Sequence, residues 1–184
     1  MVLVGVKGNP QGTNHNALAR ITAIDALTGE VLIDAVVGTL PHRIINWNSE
    51  VSGIHPESYN ATLRRGYPEA FKSWQAARKE LFRLIDKDTV LVGHAMDNDL
   101  KVLRVSHARC VDSGILACHA WRRAGNRGKR QFGLRDLTWQ FCRRWIQSSG
   151  GGHCSREDTL ATMDLVRVFV EEPERLDGYM RDQY

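Results

Sequence analysis

The segment His153-Cys154-Ser155-Arg156-Glu157-Asp158 sets a base five positions ahead of an acid, directly after Gly150-Gly151-Gly152. A second carboxylate, Asp99, lies in Leu91-Val92-Gly93-His94-Ala95-Met96-Asp97-Asn98-Asp99-Leu100. An imidazole, with an unperturbed pKa of about 6.5, can take a proton from a water that a divalent cation has acidified. Mg²⁺ or Mn²⁺ prefers octahedral carboxylate and water ligands, which suits Asp99 and Asp158. The residue types therefore fit metal-assisted phosphodiester hydrolysis. Such a site calls for about four carboxylates around its metals. The first strand should bring the other two, yet no Asp or Glu precedes Asp25.

Each of these residues also has a plainer reading. Asp99 follows a strand and fits a helix first turn, where an acid offsets the unpaired N–H groups. Ser155-x-x-Asp158 resembles a capping box with Ser155 as N-cap, a role worth roughly 1 kcal/mol. His153 reads as an exposed loop histidine. Capping does not account for the glycines before His153, which cost backbone entropy. They make sense if a closely approached segment carries His153 towards a substrate.

The elements that must position these residues follow from periodicity. Val2–Val6, Ala17–Asp25 and Glu30–Val37 read as strands, the last two as a hairpin across Thr28-Gly29. Pro56 fits a helix N1 position. Glu69–Ile85 carries apolar residues at helical spacing. Thr89–Gly93 reads as a buried strand, Asp97–Arg104 as a helix and Arg109–Val111 as a short strand. Helices follow at Ser113–Trp121, Leu134–Trp145 and Ser155–Val170, with Pro173 beyond the last. A meander followed by β-α units predicts an α/β fold with a mixed sheet and helices on its faces.

The 184 residues fit one domain, 1–184, with 42% hydrophobic residues for its core and 25% charged ones. A net charge of +4 is compatible with a nucleic-acid partner. No apolar run approaches the roughly 20 residues of a membrane span, and no signal-peptide pattern is present. Four cysteines without a C-x-x-C pair read as reduced thiols of an intracellular protein.

The stretch Val92–Leu103, with His94 and Asp99, resembles the second motif of the DEDDh 3′–5′ exonucleases, the Rex-type RNA exonucleases in particular. His153 to Asp158 matches that family's third motif, H-x-x-x-x-D. Ala17–Ile21, Thr28–Asp34, Val51–Ile54 and Val111–Ser113 resemble its strands and its Y-S-G-I segment, in the same order. The resemblance implies a ribonuclease H-like fold, with a five-stranded mixed sheet of order 3-2-1-4-5 and flanking helices. It implies two divalent metals, Mg²⁺ or Mn²⁺. Asp99 and Asp158 would be metal-site acids and His153 the general base for the attacking water. Single-stranded nucleic acid, RNA first, would be the partner, and nuclear residence is implied by the family alone.

The family's first motif, D-x-E, has no match, because Met1–Asn16 holds no acid. The expectation is a chain inactive or nearly so as written. Two origins fit: a truncated enzyme starting at an internal Met, or a pseudoenzyme kept as a nucleic-acid- or protein-binding module. The basic stretch Arg122–Arg135, with Arg122, Arg123, Lys129 and Arg130, is the candidate phosphate-binding surface, a solvated loop being the plain alternative. Five tryptophans could stack on bases. Of these, Trp74 and Trp145 read as helix core, while Trp47 and Trp121 lie in or beside loops.

Overall fold

The computed structural model describes residues 1–6, 15–39, 43–128, 130–148 and 152–182. Strands β1 (Val2–Val6), β2 (His15–Ile24) and β3 (Val31–Val37) form an antiparallel meander. Asp25 turns the β2–β3 hairpin: its Oδ1 accepts from the N–H groups of Leu27 and Thr28 and from the Thr28 hydroxyl. Then come β4 (Ile44–Asn46), α1 (Ser49–Ser52), α2 (Pro56–Arg65), β5 (Ala70–Phe71) and α3 (Trp74–Leu84). The rest alternates as β6 (Leu91–Gly93), α4 (Met96–Leu103), β7 (Cys110–Asp112) and α5 (Ser113–Arg123). Three helices close the chain: α6 (Leu134–Cys142), α7 (Ser155–Glu171) and α8 (Pro173–Arg181).

The expected single sheet of order 3-2-1-4-5 is not how the described residues hydrogen-bond. One sheet has the order β4-β1-β2-β3-β5, and β6 pairs in parallel with β7 as a separate sheet. The free edge of β1 is taken at Gly5 and Val6 by β4, running antiparallel. β6 has only three residues, and its partner along Leu91–Gly93 is β7. The segment Glu69–Ile85 also differs from its periodicity. Ala70 and Phe71 pair with Val36 and Val37, and the helix begins only at Trp74, capped by Ser73 Oγ accepting from Ala76 N. A buried edge pairing overrides helical spacing over those first residues.

Both faces of the β2–β3 ribbon are covered. Leu18, Ile21, Ile33 and Val37 pack with Leu81 of α3 and Leu103 of α4. Ala19 and Val36 pack with Tyr59 of α2, whose hydroxyl donates to the Val37 carbonyl (2.7 Å). The C-terminal helices hold their own core of Leu137, Phe141, Ile146, Leu165 and Met180. Leu134, Leu137, Thr138 and Phe141 turn one face of α6 inward at helical spacing.

A polar chain ties the two halves. Arg20 pairs with Asp34 (2.7 Å), and the Thr22 hydroxyl donates to Asp34 Oδ1 (3.1 Å). Thr22 is also hydrogen-bonded to the buried Ser155 hydroxyl (2.9 Å) at the start of α7. Ser155 is therefore not the N-cap the capping box predicts; Cys154 occupies that position without a side-chain cap. Ser155→Ala leaves a buried hydroxyl without its cross-link, so unfolding free energy should fall by about 1–2 kcal/mol. Urea unfolding with an unchanged m-value is the check; an unaltered midpoint would remove this hydrogen bond from the framework.

Candidate active site

Asp99 is placed by a short strand and a buried acid. β6 ends at Gly93, where an added Cβ would lie 2.9 Å from Met96 Cβ and Sδ. Ala95 then turns in the left-handed region (φ 51°) and α4 begins. Asp112 fixes that start: its Oδ2 accepts from Met96 N (2.8 Å), while its Oδ1 caps α5 at Gly114 N (2.9 Å) and Ile115 N (3.2 Å). Asp99 thus sits in the first turn of α4, half-buried. Burial pushes its carboxyl above the ordinary range, and the nearby Met1 ammonium, 3.5 Å from Oδ2, works against that.

The second acid and the base come from the start of α7. His153 Nδ1 lies 3.0 Å from Asp158 Oδ2, and Gln147 Nε2 donates to Asp158 Oδ1 (2.9 Å). Gln147 is itself anchored, its backbone N–H donating to Glu157 Oε2 (2.9 Å). The loop before α7 is pinned to α1. His153 N donates to the Val51 carbonyl (2.7 Å). Gly152 has φ +79°, and a Cβ there would stand 2.4 Å from Gly53 N and 2.7 Å from Ser49 O. Of the predicted glycine run only Gly152 lies among the described residues, and close approach is its physical reason.

Asp99, His153 and Asp158 line one cleft of about 540 Å³, together with Thr22, Arg135 and Gln147. His94 borders this cleft and a neighbouring one of about 660 Å³ beside Phe132 and Ile115. Its Nδ1 meets Ser113 Oγ (2.8 Å), and burial pushes its pKa down, so the ring is held neutral and structural.

A divalent metal needs several oxygens free to turn towards it. Among the described residues no group of three or more His, Cys, Asp or Glu could hold one. Asp158 already accepts from Gln147 at one oxygen and faces His153 at the other. The described residues do not fit a two-metal centre.

The predicted basic surface is dispersed. Arg122 and Arg123 end α5, and Arg123 pairs with Asp177 of α8 (2.6 Å), outside the lining of the cleft. Arg130 lies over the Phe132 ring (5.0 Å), next to the neighbouring cleft, and Lys129 lies outside the described residues. Arg135 is the basic residue on the cleft wall, and its guanidinium covers Trp145 (5.4 Å). Trp145 is not core: α6 stops at Cys142, Arg143 turns left-handed, and the indole emerges onto the surface. The site residues missed in the sequence are Asp112 and Gln147. Asp112 carried a signal as an Asx residue at a strand end before a helix; Gln147 carried none.

Relatives decide the family. RNA exonuclease 3 of Candida albicans is 32% identical over 155 residues, 84% of this chain and 34% of that protein. RNA exonuclease 3 of Saccharomyces cerevisiae is 33% identical over 153 residues, 83% of this chain and 33% of that protein. The chain belongs to the DEDDh 3′–5′ exonuclease family. It spans about a third of the length of these curated relatives. No family model matches it. Among solved structures, the pseudoubiquitin hydrolase–RNA exonuclease module of Saccharomyces cerevisiae Pan2 in complex with AAGGAA RNA superposes with a TM-score of 0.76. That match covers 98% of this chain and 30% of the other at 21% identity. The Neurospora crassa Pan2 catalytic unit gives 0.72, covering 92% and 27% at 21% identity. The α/β architecture is thus that of the Pan2 exonuclease domain, and the two segments that resemble the family's second and third motifs run into α4 and α7.

Asp99 gains stability when protonated and loses it as pH rises through its raised pKa. Asp99→Asn should therefore melt higher than the parent at neutral pH, the gap closing as pH falls below the ordinary aspartate range; a gap independent of pH would contradict this. Gly152→Ala places a Cβ against backbone at positive φ, which should cost about 1–3 kcal/mol. It should also shift the His153 ring resonances in NMR spectra, and unchanged resonances would separate the ring from its α1 anchor.

Proposed function

We propose that these 184 residues form an RNA-exonuclease domain that takes the 3′ end of single-stranded RNA into the cleft between α4 and α7. The observation that carries the reading is the meeting of Asp99 with His153 and Asp158, far from it in sequence, around one cleft. The names of the relatives, RNA exonucleases, and the RNA held by the Pan2 module support the substrate class. A nuclear location and a part in RNA processing belong to the same proposal, from the family, whose Mg²⁺ or Mn²⁺ the described residues do not by themselves fit.

His153 offers its Nδ1–H to Asp158, which fixes the ring and leaves Nε2 to accept from a water. Arg135, exposed on the wall, supplies positive charge for the RNA backbone. Hydrolysis itself is proposed to be crippled in these 184 residues. Two acids stand where the two-metal reaction calls on about four, and losing such transition-state stabilisation costs on the order of a hundredfold or more in rate. The second reading, a non-catalytic RNA-binding module, is favoured by the hydrogen bonds that occupy both Asp158 oxygens.

With a 5′-labelled oligo(A) RNA and Mn²⁺ or Mg²⁺, the chain should bind without producing a ladder of shortened products. A robust metal-dependent ladder would sink the crippled reading, and no binding would sink the RNA reading. Affinity should fall with salt, and Arg135→Ala or Arg130→Ala should flatten that slope by about 0.7 for each phosphate the side chain no longer neutralises. The same slope for Arg122→Ala/Arg123→Ala and for Lys129→Ala decides whether the footprint reaches the end of α5.

A further inference from the structure

We propose that Trp139 and Trp145 form a stacking platform for the bases of single-stranded RNA that lie just 5′ of the cleft; the inference rests on the cleft being an RNA 3′-end site. The two indoles lie 4.3 Å apart at 16° between planes, face to face. They are nevertheless 36% and 49% exposed. An exposed pair of the largest aromatic side chains marks a binding surface more readily than a core, since core packing would have covered both.

The position of the pair ties it to the cleft from two sides. Arg135 and Trp139 are four apart on α6, so they share a face. Arg135 lines the cleft while its guanidinium lies over the Trp145 ring. On the return segment, Gln147 lines the same cleft and holds Asp158, two residues after Trp145. The turn that presents Trp145 is fixed at backbone cost: Arg143 (φ 52°) and Gln147 (φ 57°) are both left-handed without being glycine. Ile146, fully buried between them, anchors that turn in the helical core.

The chemistry of the patch selects its occupant. The Arg135 guanidinium lies over Trp145, and Arg143, two residues before Trp145 in the chain, is exposed; indoles accompanied by cations suit alternating bases and phosphates. An apolar protein segment would use the indoles and leave both cations without counter-charges. Base stacking of this kind is tolerant of sequence, because every base presents a π-face. The platform would therefore set the length of RNA held, with little preference among bases.

The test is binding of the full 184-residue chain to an eight-nucleotide oligo(A), against an oligonucleotide of equal length and charge that is abasic beyond its two 3′-terminal nucleotides. The unsubstituted chain should bind the intact strand about tenfold tighter. Trp145→Ala should abolish that difference, and Trp145→Phe, which keeps an aromatic face, should restore most of it. A dinucleotide should bind parent and Trp145→Ala equally. Equal affinity of the parent for intact and abasic strands overturns the platform while leaving the cleft reading standing, and gives the indoles to a protein partner. No binding of any strand by the parent overturns both.

Discussion

Three backbone N–H groups converge on one buried carboxylate, and the site hangs from it. Asp112 accepts from Met96 at the start of α4 and from Gly114 and Ile115 at the start of α5. Those donors would otherwise be orphaned helix ends, and an acid so placed also complements two helix dipoles at once. β6 and β7 are short and, among the described residues, paired only with each other. α4 is therefore positioned by this acid at its start and by Leu103 packed on the β2–β3 ribbon. Asp99 sits one turn into α4, so its place in the cleft is set by both.

The opposite wall is built differently. α7 is held to β2 through Thr22 and Ser155 and to α1 through the Val51 carbonyl. The cleft lies between a helix fixed by charge–dipole contacts and one fixed by neutral hydrogen bonds and close backbone packing. Both are local devices on rigid elements, the arrangement that holds reacting groups with small positional error. The stacked indoles extend the second wall outward, on a turn anchored by Ile146.

The parts of this architecture legible in the sequence are those governed by periodicity or by a local motif. The β2–β3 hairpin followed from β-branched runs around Thr28-Gly29, α2 from Pro56, and the long α7 from its apolar stripe. Asp99, His153 and Asp158 were visible because their motifs are contiguous. What the sequence concealed depends on contacts across the fold. β5 carries helix-compatible residues that a parallel edge pairing captured. Ser155 looked like a cap but was drawn to Thr22, 133 residues away. The end of α6 at Cys142 depends on a left-handed Arg143, a residue type that gives no warning. Trp145 was thereby moved from an inferred core face to the surface. α8, its Leu176 and Met180 buried against α5–α7, has a polar composition that hid it.

The bond between His153 N and the Val51 carbonyl has a kinetic meaning as well as a geometric one. It joins positions about a hundred residues apart, a closure whose entropic cost must be met before the bond gives anything back. Local pieces, the hairpin and the C-terminal helices, can form without it. The histidine takes its place only after the N-terminal ribbon, α1 and α7 have all docked. The place of His153 against Asp158 therefore depends on segments far apart in the chain being docked together, and not on α7 alone.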